Sequence, residues 1–197
     1  MGPLPLVQGG EGMTLRELFR KVMVVLDEMD GNDSEGLGNF ADYAEKIYEA
    51  AESCQREVAV YGVPIPSQGI LPVVERNISL PEDCFRVLRV EQGEKALGFD
   101  QVREKVLLLP EGTEGDVVVW FYAYPPSITK ETPLDTILTV SLAGQEAMVY
   151  GIAAMLTIND EPDLYVTYME RYNGLLTLLQ QMRERNQTAK MQGGVAI

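Results

Sequence analysis

The side chains that could do chemistry in this sequence are carboxylates, two thiols and a cluster of aromatics; histidine is absent. Without histidine there is no Ser–His–Asp or Cys–His nucleophile and no histidine-based metal site. Cys54 and Cys84 are the only cysteines. One falls on a helical pattern and the other beside a strand, which reads as two reduced, buried thiols with no extracellular disulfide framework. The acidic run Asp27–Glu35 is the best candidate for a calcium loop. Placing Gly31 at the sixth position puts Leu26 where the first carboxylate must stand, so the spacing fails and a solvated turn is expected. Gly9-Gly10 and Gly36-Leu37-Gly38 lack the Lys-Ser/Thr ending of a phosphate loop. Pairs of acids for glycoside chemistry could be chosen at will among 30 carboxylates, so no pair carries information. No catalytic, cofactor or metal residue is therefore assigned, and no cofactor is expected.

The aromatics Trp120, Phe121, Tyr122 and Tyr124 occupy one apolar stretch, Asp116–Tyr124, stopped by Pro125-Pro126. On a strand, consecutive residues point to opposite faces, so Phe121 belongs to one face and Trp120 and Tyr122 to the other. A base-stacking platform would need cations to track a phosphate backbone, and none lies between Lys105 and Lys130. One face is expected to pack a core and the other, with Trp120 and Tyr122, to meet a partner.

The elements around this stretch follow from periodicity. Thr14-Leu15-Arg16-Glu17 forms a capping box that opens a helix carrying Leu15, Leu18, Phe19, Val22, Leu26 and Met29 on one face. A second helix is expected from Phe40 to Tyr61, ended by Gly62, Pro64 and Pro66. The centre changes to short β-favouring runs at 70–78, 85–91, around 98–99, 106–109 and 116–124, separated by turn signals; an antiparallel meander or small sandwich is expected. After Pro133 the helical period returns, from Ser141 to Leu156 and from Pro162 to about Glu184. Ala143, Gly144, Ala147, Gly151, Ala153 and Ala154 in the first of these would let a neighbouring helix approach closely.

The fold class is thus α+β: a helical body interrupted by an antiparallel β insert. Its expected parts are an N-terminal arm over 1–13, helices over 14–62, the insert over 63–126, helices over 127–186 and a C-terminal tail over 187–197. The N-terminus lacks the basic region of a signal peptide, and the longest apolar runs are too short to cross a bilayer. The net charge of −14, from 16 basic and 30 acidic residues, repels phosphate backbones and anionic lipids.

Read together, two N-terminal helices, a β-rich insert, a strand ending Tyr122-Ala-Tyr-Pro-Pro126, and a helical pair with Ala147, Tyr150, Ala153 and Ala154, then Tyr165 and Tyr172, resemble the head–tail connector proteins of tailed double-stranded DNA phages. These include the tail tubular protein A type. The likeness spans about residues 14–185 and rests on architecture rather than on an invariant motif. It implies a non-enzymatic virion protein made in the host cytoplasm. Such a protein forms a ring of identical subunits, commonly twelve, beneath the portal protein and above tail or neck proteins. DNA would pass through the lumen without sequence-specific binding, and no membrane is involved. The residues such a reading puts at partner contacts are the C-terminal Gln192, Gly193, Gly194, Val195, Ala196 and Ile197, together with Trp120 and Tyr122. Two other readings stand beside it: a tail-completion or terminator subunit, and a carbohydrate- or peptide-binding module on a helical stalk.

Overall fold

The structure is a computed structural model that describes residues 12–27, 37 and 39–193, the stretch 186–193 as backbone. It is α+β, and the chain divides into two compact units. A helical unit takes both ends of the sequence, through Val63 and again from Pro126, and a β unit takes Pro64–Pro125.

The helical unit opens with α1, Leu15–Val25, whose capping box is formed: the Thr14 hydroxyl accepts from the Glu17 N–H, and the Glu17 carboxylate accepts from the Thr14 N–H at 2.7 Å. Leu15, Leu18, Phe19, Val22 and Met23 are buried. The helix ends at Val25, four residues before Met29, the last residue of its apolar pattern, because Asp27 takes a left-handed φ of 59° and turns the chain. The second expected helix is broken. Phe40–Tyr43 form a short α2, a turn covers 44–46, and α3 runs Ile47–Glu57 before widening into a π-turn at Val58–Gly62. The break follows from packing: the rings of Phe40, Tyr48 and Phe19 cluster, with centroids 5.1–6.2 Å apart. A straight helix would spread the first two along its axis.

At the centre of this unit lies α4, Leu142–Thr157, opened by the Ser141 hydroxyl, which accepts from the Gly144 N–H. It is buried around most of its circumference and packs against α1, α3 and α5. Small residues make this possible. A Cβ on Gly151 would lie 2.8 Å from the Cys54 sulfur and 3.0 Å from the Tyr172 ring, and one on Gly144 would lie 2.5 Å from Val58. The last helix, α5, runs Pro162–Gly193. The tail expected from Gln187 is corrected here, since the helix continues to Gly193. Gln187, Ala189, Lys190, Met191 and Gln192 are mostly good helix formers, and no breaker intervenes before Gly193-Gly194. The N-terminal arm is also shorter than expected. Met13 is buried, its N–H donates to Gln145 at 2.7 Å, and its carbonyl accepts from Leu138 at 3.0 Å. Residues 1–11 lie outside the described residues.

In the β unit, β1 (Ile65–Pro72), β7 (Asp116–Ala123), β3 (Cys84–Gln92) and β4 (Lys95–Leu97) form one antiparallel sheet in that order. β2 (Asn77–Ser79), β6 (Val106–Leu108) and β5 (Asp100–Arg103) form a second. Ile78 and Leu107 from the second sheet join Val90, Val117, Val119 and Phe121 from the first in one apolar core, which makes the unit a small sandwich. The first strand begins and ends earlier than the sequence reading placed it. Its prolines, Pro66 and Pro72, are tolerated because β1 is an edge strand. The run 70–78 is cut by a tight turn in which Glu75 and Arg76 both take positive φ, 49° and 68°.

Candidate interaction surface

The outward face of the four-stranded sheet is built by β7 and its two neighbours. Val117, Val119, Phe121 and Ala123 are buried, and the intervening Val118, Trp120 and Tyr122 face away from the core, half-exposed. This alternation makes β7 the central strand of a one-sided sheet. Across from Trp120 stand Gln68 of β1 and Arg89 of β3, and across from Tyr122 stand Pro66 and Arg86. Across from Val118 stand Ile70 and Glu91. Three cross-strand rows thus mix aromatic, aliphatic and charged groups.

Two irregularities in β3 shape this face. The register shifts between Cys84 and Arg86 and again between Val87 and Arg89, so Phe85 and Leu88 are extra residues. Val87 and Val90 still point to the core while Arg86, Arg89 and Glu91 point out. The first bulge brings Phe85 beside Tyr122, with ring centroids 6.0 Å apart in a stacked pair, and within 4.9 Å of the Tyr124 ring. Leu88, at the second, is left 43% exposed.

Trp120 is held from two sides. Its indole N–H donates to the Glu91 carboxylate at 2.9 Å, and the Arg89 guanidinium lies 4.5 Å above the ring. Arg89 in turn pairs with Glu91 at 3.3 Å. The three side chains fix one another, so the surface presents a pre-set aromatic plate with a charged rim, and Ile70, 72% exposed, lies on the same face. Such a surface can bind by apolar and stacking contact.

Trp120 and Tyr122 are therefore brought together on one face. Gln192 and Gly193 close α5 in the helical unit as backbone, and Gly194, Val195, Ala196 and Ile197 lie outside the described residues. Phe85, Arg89, Glu91 and Ile70 were not singled out in the sequence. Strand register selects them, and a single sequence does not display its own register. The acidic stretch weighed as a calcium loop falls, over 28–35, outside the described residues. Among the described residues no group of three or more His, Cys, Asp or Glu is placed to hold a metal ion. No described helix is long and apolar enough to cross a membrane. Both thiols are free and buried. Compared with known proteins, the chain matches no family model, and no curated protein is significantly similar to it.

Proposed function

We propose that this chain is a structural, non-enzymatic subunit of a phage neck: a head-to-tail connector that forms a ring of identical copies under a portal protein and lines the DNA exit channel. The observation that carries this reading is the division of labour along the chain. Both ends of the sequence build one helical unit, and the middle is given to a separate sandwich with an ordered aromatic face. That layout keeps the helix–β–helix order on which the resemblance of the sequence to the connector family rests. The excess of 14 negative charges suits a conduit that DNA must traverse without sticking. In this reading the aromatic face around Trp120 and Tyr122 and the end of α5, Gln192–Gly193 with the residues beyond it, contact neighbouring subunits, the portal or tail proteins.

Mass measurement and negative-stain imaging of the purified protein, alone and with a portal complex, test the reading. A ring that forms alone or on the portal supports it; a strict monomer that ignores the portal sinks it. Trp120 is the only tryptophan, so its emission reports directly on whether the sheet face enters a contact. The same aromatic plate favours a second reading, a carbohydrate- or peptide-binding module. Saturable quenching of Trp120 by a glycan or peptide, with no assembly on a portal, would select it.

A further inference from the structure

Helix α5 is twice the length of the helix it packs on: 32 residues, about 48 Å, against the 16 residues and about 24 Å of α4. It carries two apolar stripes where one would serve the core. Tyr172, Leu176 and Leu179 are buried, with Tyr172 beside Gly151 of α4 and Leu179 beside Gly62 of the π-turn. The second stripe is Leu164, Leu175, Leu178 and Met182, with Arg171 among them. Its steps of seven, four, three and four residues hold all five within about 60° of the helix surface. Leu164, Leu178 and Met182 are 36%, 55% and 57% exposed, and Leu175 is half-buried. Spacing of this kind, sustained over about five turns, is the seam of a helix pair.

The charges beside this stripe change sign from one end to the other. Glu161 and Asp163 precede Leu164, and Arg183 and Arg185 follow Met182. The helix dipole accounts for Asp163, in the first turn. It does not account for the arginines, which stand at least two turns before Gly193, outside the last turn in which the dipole acts. None of the four makes a salt bridge among the described residues. The Nε of Arg183 is buried with no hydrogen-bond partner, a donor that a carboxylate beside it would satisfy.

An acidic end and a basic end on one exposed seam complement themselves only in the antiparallel sense. Leu164 and Met182 each lie nine residues from position 173, and Arg171 and Leu175 each lie two. A two-fold axis at the level of Asn173 therefore sets Leu164 against the second copy's Met182, and Arg171 against the second copy's Leu175. The same axis brings Asp163 within a turn of the second copy's Arg185, and Glu161 within a turn of the second copy's Arg183, each pair on a shared flank of the seam. One register satisfies both the apolar and the charged positions.

We infer that the stripe from Leu164 to Met182 is the seam of a two-fold dimer, in which α5 pairs antiparallel with α5 of a second copy of this chain. Such a contact is isologous and closes at two copies, whereas a cyclic ring needs a head-to-tail contact. The inference is thus independent of the connector reading.

Sedimentation of the full chain tests it, with two charge-reversed variants. One combines Glu161→Lys with Asp163→Lys, and the other combines Arg183→Glu with Arg185→Glu. The unaltered chain should sediment as a dimer. Each variant alone should show a Kd at least about tenfold higher, because like charges then meet at both ends of the seam. An equimolar mixture of the two should return to within about threefold of the original Kd, since acidic ends meet basic ends again. Charges that served only their own chain would not be rescued by mixing. A chain that stays monomeric up to about 100 µM overturns the inference. So do variants that dimerise as the unaltered chain does, and a mixture that stays monomeric. Larger rings that form equally well from the unaltered chain and both variants overturn it too, and leave the connector reading standing. The exposed pair Leu178→Asp with Met182→Asp reads the apolar part of the seam separately. It should raise the Kd at least about tenfold, and an unchanged value overturns the seam.

Discussion

In the β unit the buried interior includes Ile78, Val90, Leu107, Leu109, Val117, Val119 and Phe121, and Thr113 is the one buried polar side chain among the described residues there. In the helical unit Gln55, Gln145 and Thr157 are buried among the apolar side chains. The difference traces to what each unit does with its backbone. Strand ladders satisfy the backbone along the strands of the sandwich, and the half-exposed Arg76 and Lys105 donate to the carbonyls of Leu109 and Cys84, so its core is apolar apart from Thr113. The helical unit must also hold the irregular stretch between Pro126 and Ser141, where no ladder exists. Long side chains take over that task. Gln145 accepts from Met13 and donates to the carbonyls of Leu138 and Val140 at 3.2 and 2.7 Å. Gln55 donates to the Pro126 carbonyl at 2.8 Å, and Glu52 accepts from the Ile128 N–H at 2.8 Å. Where regular structure runs out, two buried amides and the half-buried Glu52 carboxylate replace it.

The largest effect that could break this comparison is expected in the apolar core. Phe121→Ala should destabilise the β unit by about 3–5 kcal/mol, through lost burial and the cavity left behind. Amide exchange resolved by region in increasing urea measures it, with residues 64–125 shifting and the helical unit holding. A shift shared equally by both units would show that they unfold as one and that the division of cores is not energetic.

Next in size is the strut. Gln145→Leu keeps roughly the volume but orphans the Met13 N–H and two carbonyls, at a cost of about 2–4 kcal/mol. The same urea series should place this loss in the helical unit, with fast exchange appearing at Met13–Arg16 and Leu138. A cost below about 0.5 kcal/mol would mean the strut is surface decoration.

Close packing around α4 gives a smaller, signed pair. Gly151→Ala forces its Cβ onto Cys54 and Tyr172 and should cost about 1–3 kcal/mol. Gly174→Ala on α5 meets nothing within 4 Å and should stabilise by about 0.5–1 kcal/mol through helix propensity. Thermal melts read both, and equal signs would refute the contact account.

What the sequence displayed was governed by what is local. The capping box of α1, the serine that opens α4 and the proline that opens α5 depend on neighbours in the chain, and each is where its residues put it. Small residues along α4 likewise announced close helix contact. Long-range features stayed hidden. The β-favouring run at 85–91 was visible, but its two bulges against β7 need the partner strand. The two residues at the tip of the turn, Glu75 and Arg76, are not ones that favour positive φ, so the letters did not place the break between β1 and β2 there. Of the candidate surface, Trp120 and Tyr122 were legible from alternation alone. Arg89, Glu91 and Phe85 were not, because only the register of β3 sets them beside those rings.

The last effect, silent near neutral pH, compares the two thiols. Burial, then the nearby Glu57, pushes Cys54 in the helical unit up to about 12, despite a hydrogen bond with Tyr172. Burial also raises Cys84 in the β unit, but the Lys105 ammonium and the Arg86 N–H oppose it. Tyr172 is raised as well, by burial first and then by Cys54 and Glu57, to whose carboxylate its hydroxyl donates at 3.0 Å. An unfolded Cys54 releases its proton near 9.0, and the folded thiol keeps it to about 12. Between those values the unfolded chain binds fewer protons, so the stability that Cys54 confers is complete below the lower value and drains away as pH rises to the upper. The urea midpoint of the helical unit should therefore fall steeply over that window, and Cys54→Ala should flatten the fall, leaving the part due to Tyr172. Alkylation near the ordinary thiol pKa should modify Cys84 before Cys54, because only the thiolate reacts and Lys105 favours it at Cys84 alone. The reverse order would mean that α3 opens more readily than the sandwich, and would place the weaker packing in the unit that depends on polar struts.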